Sequence, residues 1–251
     1  MMQLDAPEIS AATGPANRAR RWLKGIGTGV VLACLTALVF GATLVMTMPA
    51  SVVRTLVVLP PQVETLSGSL SRGRAGLMGG YTLDWTWSPR ELITGRIAVG
   101  IELQGSDTRL EGRVEAVPFA VTARDLRGRA GAGLLALFPR LAVEGCNPRA
   151  VVAIDSLSAG RRGFGARGMV ETSQGICLDR NGNEIPVPAM VMGLSTEGAD
   201  ANAILSDDKG TTLARLAVTG DRILRVTVEP QGAALVPGMP SSAATSLALP
   251  F

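Results

Sequence analysis

The sequence contains no histidine. That removes the side chain that most often serves as general base or metal ligand near neutral pH. Ser-His-Asp triads, Cys-His dyads and histidine-containing zinc sites are excluded with it. Lysine is nearly absent too: Lys24 and Lys209 are the only two, so the rest of the 24 basic side chains are arginine. Aromatic residues make up 4% and charged residues 18% of the 251 positions. The charged share is below the roughly 25% of an ordinary soluble domain. At 47% hydrophobic residues the chain has enough apolar surface to fold rather than remain disordered. These absences point to a protein that is not an enzyme, with no catalytic residues, no metal site, no cofactor and no small-molecule substrate.

The sequence pI is about 9.1 and the net charge +3. Arg18, Arg20, Arg21 and Lys24 are crowded near the start, and beyond them basic and acidic residues nearly balance. An excess confined to one short cluster does not make a face that tracks phosphates, so nucleic acid is not expected as a partner.

The basic cluster precedes a run of 29 positions, Gly25 to Val53, without a charged residue. A bilayer core needs about 20 apolar residues as helix, and Pro49 closes the run. Residues 1–24 are expected to be a cytoplasmic basic tail, and residues 25–48 a transmembrane anchor that brings membrane lipid as a partner. By the positive-inside rule the remainder lies across the membrane. A cleaved signal peptide is the rival, but its apolar region is about 7–15 residues and ends in an A-x-A-like site. The run here is longer, and Met48-Pro49-Ala50 matches such a site poorly.

Residues 54–236 read as a β domain. Tyr81–Trp87, Ile97–Leu103, 108–116, 119–126, 149–155, 165–171, 175–179, 184–193, 201–206, 212–219 and 222–229 are expected strands separated by turn signals. Spacing of this kind implies an antiparallel meander. Asn181-Gly182 predicts a type I′ hairpin. Ser88-Pro89-Arg90-Glu91 predicts a capped helical turn over 89–93, and 133–138 a second short helix. Similar glycine-punctuated patterns in 54–145 and 146–236 point to two repeated halves. Residues 237–251 are expected to be a loose tail. The fold class is therefore mainly β: one transmembrane helix, then a curved antiparallel sheet or sandwich.

Two residue sets stand out. Cys146 and Cys177 lie outside the anchor, where an oxidising compartment allows them to pair; the other reading is two separately buried thiols. Tyr81, Trp85 and Trp87 share one side of a strand, because alternate residues point the same way. That side is either the core of the sheet or an aromatic surface for a partner or lipid. Asp179 to Glu184 offers oxygen atoms, but glycine stands at the fourth position rather than the sixth of a calcium loop.

Leu66-Ser-Gly-Ser-Leu70, Gly73-Arg-Ala75, Trp85-x-Trp87-x-Pro89, Leu92-Ile-Thr-Gly95 and the closing Leu213-Ala-Arg-Leu-Ala-Val with Arg222-Ile-Leu-Arg-Val resemble the type II secretion system protein N family. The resemblance implies a bacterial inner membrane accessory protein, single-pass, with a cytoplasmic N-terminus and a periplasmic C-terminal domain. It implies support for export of folded periplasmic proteins across the outer membrane. Partners would be other inner or outer membrane components of that secretion system. It supplies no catalytic residues. The alternative is a membrane-anchored periplasmic β-groove module for lipid handling or outer membrane assembly.

Overall fold

A computed structural model of the chain describes residues 36–37, 39–41, 43–44, 47–52, 60–88, 96–137, 145–178, 182–235 and 239–250. The chain divides into two units, Met1–Met48 and Pro49–Phe251.

Most of the expected anchor, 25–48, lies outside the described residues. Its described part is helical, and the hydroxyls of Thr43 and Thr47 donate to the carbonyls of Val39 and Thr43, four residues back in each case, at 2.8 and 2.9 Å. Among the described residues no helix is long and apolar enough to cross a membrane. The helical turn expected over 89–93 also lies outside them.

The second unit is mainly β. Its strands are β1 (Val63–Gly68), β2 (Arg72–Leu77), β3 (Tyr81–Trp87), β4 (Ile97–Gln104), β5 (Arg109–Val117), β6 (Ala120–Gly131), β7 (Arg149–Gly160), β8 (Gly163–Thr172), β9 (Gly175–Leu178), β10 (Glu184–Val187), β11 (Met190–Glu197), β12 (Asp200–Asp207), β13 (Thr212–Val218), β14 (Ile223–Val228) and β15 (Thr245–Pro250). Thirteen of them form one antiparallel sheet in chain order, with β9 and β10 set aside as a separate hairpin. The expected junction of two halves falls inside this sheet, where β6 and β7 pair from Ala120–Gly160 to Gly131–Arg149.

Two expectations are corrected. The stretch 184–193 is not one strand: β10 pairs with β9 and β11 with β8, divided at Pro188, which has no N–H to donate to a ladder. β9 and β10 pair antiparallel on either side of the expected Asn181-Gly182 turn, whose residues 179–181 lie outside the described residues. The tail from 237 is not loose throughout, because Thr245–Pro250 pairs with β14 in unbroken register. Alternation in Thr-Ser-Leu-Ala-Leu-Pro is what a strand needs, and small residues upstream disguise it.

Bulges shape the sheet. β6 carries an extra residue near Asp125 and β7 one at Asp155. Asp125 has φ 51°, a left-handed conformation that aspartate tolerates better than most residues. A bulge bends a strand and increases its twist. It also flips the parity of the residues beyond it, and the sequence compensates. Val121 and Ala123 precede the bulge on odd positions, Leu126 and Ala130 follow on even ones, and all four face the same side. In β7, Val152 and Ile154 switch to Leu157 and Ala159 in the same way. The core gathers there: Leu110, Ala130, Val152 and Ile154, with Leu103, Leu126, Leu134 and Leu157 packed against them.

Candidate functional site

The two faces of the sheet differ in kind. On consecutive strands, Leu83, Leu103, Leu110, Gly128, Val152 and Val170 stand opposite one another. One residue along, the row reads Asp84, Glu102, Glu111 and Arg127. The second face is laced by ion pairs between neighbouring strands: Arg74–Asp84 at 2.7 Å, Arg109–Glu102 at 2.8 Å, Arg124–Glu115 at 3.0 Å and Arg127–Asp155 at 3.2 Å. These pairs are largely exposed, and exposed pairs contribute little each. Their main consequence is that this face is wetted. The first face continues apolar through Met192, Leu205, Val226 and Leu247. Asp207 shares its parity only at the end of β12, where its carboxylate accepts from the backbone N–H groups of Lys209 and Thr211 at 3.0 and 2.7 Å.

The apolar face curls around two clefts. One, of about 520 Å³, is lined by Val114 on β5 and also by Leu224 on β14. In sheet order those strands are seven spacings apart. At about 4.8 Å per spacing a flat sheet would hold them roughly 34 Å apart, so a cleft lined by both requires strong curvature. The other cleft, of about 460 Å³, is lined from β5 to β11 and is reached by Leu134, Cys146 and Cys177 at the opposite strand ends. Both open on this one face, toward opposite strand ends, and the face is called the trough below. Among the described residues no large side chain on it is fully buried, and Val121, Leu247 and Leu249 stay roughly half exposed.

The residues singled out in the sequence lie on or beside this face. Cys146 and Cys177 form a disulfide, with sulfurs 2.04 Å apart, that ties the segment before β7 to β9. Tyr81 is buried, 3% exposed, with its ring packed on Gly105. Its hydroxyl donates to Asp107 Oδ1 at 2.8 Å. Asp107 Oδ2 accepts from the Gly133 N–H at 3.0 Å, and Thr108, itself buried, accepts from the Gly131 N–H at 2.9 Å. This polar latch fastens β3, the β4–β5 turn and the 3₁₀ turn Ala132–Leu137. Burial pushes the Asp107 carboxyl upward, but the hydrogen bonds from Tyr81, Gly133 and Thr108 outweigh it and hold it below its ordinary 3.8. Burial, then the bond to Asp107, raises the Tyr81 hydroxyl. The Trp85 indole lies over Gly73, where a Cβ would collide with it, and its N–H donates to the Leu70 carbonyl at 3.2 Å. The Trp87 indole N–H is buried without a partner among the described residues. Sequence reasoning missed the latch: Asp107 lies 26 residues from both Tyr81 and Gly133, and no local motif links them.

The opening motifs Leu66–Leu70 and Gly73–Ala75 therefore make the β1–β2 hairpin that seats Trp85, and the closing motif makes β13 and β14. The family described as "Type II secretion system (T2SS), protein N" matches residues 61–249, nearly the whole second unit. The chain belongs to the type II secretion system protein N family. Membership makes it a component of that secretion system, and it implies interaction with the system's other components. No curated protein and no solved structure matches the chain.

Proposed function

We propose that this chain is a non-enzymatic accessory component of the type II secretion system, held in the bacterial inner membrane by a single span at 25–48. On this reading residues 1–24 are cytoplasmic, and the sheet stands in the periplasm. There it contacts other inner or outer membrane components and supports export of folded proteins across the outer membrane. The family match over residues 61–249 carries the proposal. The topology is supported by the charge-free run from Gly25 to Val53 and by the basic residues that precede it. The absence of histidine supports a scaffold rather than a catalyst.

The test is crosslinking in intact cells, with photoreactive residues placed along the exposed edges β1 and β15. Adducts with secretion-system components are expected. Adducts with none of them, in cells that express the system, would refute the proposal.

A further inference from the structure

Among the described residues the apolar trough is covered at one end only, where Leu134, Cys177 and Val187 reach it, and its chemistry narrows what can cover the rest. An extended peptide laid there would bring an N–H and a C=O with every residue. The side chains of the trough are almost all aliphatic, so those groups would lose water and gain no partner. A helix satisfies its own backbone but is at least about 10 Å across, so one turn fills on the order of 420 Å³. The two clefts, about 520 and 460 Å³, hold about one such turn each. A second sheet packs about 10 Å away from an open face, and the curl that lets β5 and β14 line one cleft closes this one. A flexible hydrocarbon chain has no polar group to strand and no fixed width.

The length agrees. β6 and β7 have 12 residues each, about 40 Å at the rise of an antiparallel strand. One leaflet's share of a bilayer core is about 15 Å, so a lipid chain lies comfortably along the trough. At one end an exposed aromatic ring stands on the rim beside charges of both signs, Arg161 and Arg162 on one turn and Glu197 and Asp200 on the next. Phe119 on the β5–β6 turn is 63% exposed, the Arg161 guanidinium sits 4.8 Å from its ring centre, and Arg162 follows. An aromatic ring packed under a guanidinium beside an apolar surface suits the boundary between water and membrane.

We propose that the trough binds the acyl chain of a membrane lipid, which enters over the joined turns that carry Phe119 and Arg161. This goes beyond the secretion role and stands or falls separately from it.

The test uses the full chain in vesicles of phosphatidylethanolamine and phosphatidylglycerol doped with a phosphatidylcholine that carries a photoactivatable diazirine acyl chain. After irradiation, adducts are mapped by peptide mass spectrometry. Adducts are expected at Ala123, Leu157 and Ala203. Ala203→Arg should lower trough labelling about five-fold or more, while Ser195→Arg, on the charged face of the neighbouring strand, should leave it unchanged. Ala123→Gln against Thr122→Gln repeats the comparison with a milder change, in case the buried arginine prevents folding. Labelling confined to 25–53, or equal in trough and charged-face variants, would overturn the proposal. So would trough residues that crosslink a second copy of the chain instead of lipid.

Discussion

Tyr81 and Asp107 show how a few polar atoms fix a strongly apolar sheet. Asp107 accepts from Tyr81, Gly133 and Thr108, and its carboxyl is held below 3.8. A carboxylate whose pKa falls on folding gives stability that is fully present above its unfolded value and is lost as pH drops through the folded one. Asp107→Asn is therefore expected to lower stability near neutral pH by about 1–2 kcal/mol and to flatten the loss on acidification below about pH 4. Thermal melts of the full chain in detergent at several pH values will check this; an unchanged acid limb would show that the latch does not titrate. Gly73 is the second such position, because the Trp85 ring occupies the space a side chain would need. Gly73→Val is expected to cost about 1–3 kcal/mol through overpacking, with a red-shifted tryptophan emission as the indole moves into water.

At the scale of elements, much of the sheet was legible in the sequence and some of it was hidden. Tyr81–Trp87 and Ile97–Gln104 alternate cleanly, and the structure places strands there. β1 and β2 are spelled Val-Glu-Thr-Leu-Ser-Gly and Arg-Gly-Arg-Ala-Gly-Leu, too polar and glycine-rich to show a period. The bulges at Asp125 and Asp155 were invisible for a different reason. They reverse the parity of apolar residues mid-strand, so the expected strands stop at 126 and 155 where the observed ones run on to Gly131 and Gly160. The residues that line the trough were hidden with the bulges, because they share one face only once that parity is corrected. The disulfide acts at this scale. With its cysteines 31 positions apart, the chain-entropy estimate for the closed loop is about 3–4 kcal/mol. Cys146→Ser should lower the unfolding midpoint accordingly, and a reductant should lower the wild-type midpoint to the same place. Equal midpoints for oxidised wild type and Cys146→Ser would mean that the crosslink constrains nothing.

For the whole molecule, thirteen strands in chain order make a sheet whose two faces face different surroundings. The outer one is salt-bridged and wetted, and the inner one is aliphatic and curled. The family match locates the molecule in type II secretion, and the proposed span and trough give it contact with membrane at both its start and its sheet. The family was legible because its motifs build the β1–β2 hairpin, the tryptophan strand and the closing strands, whose spacing survives in sequence. A curved sheet and, as an alternative, a lipid-handling groove were expected from the sequence, but the residues that line the trough were not legible, because they lie on strands far apart along the chain. The most direct measurement is export of a type II cargo in the native host, comparing a deletion strain with one complemented by the full chain. Cargo is predicted to accumulate in the periplasm of the deletion strain and to return to the medium on complementation. Cargo reaching the medium at wild-type levels without the chain would contradict the account.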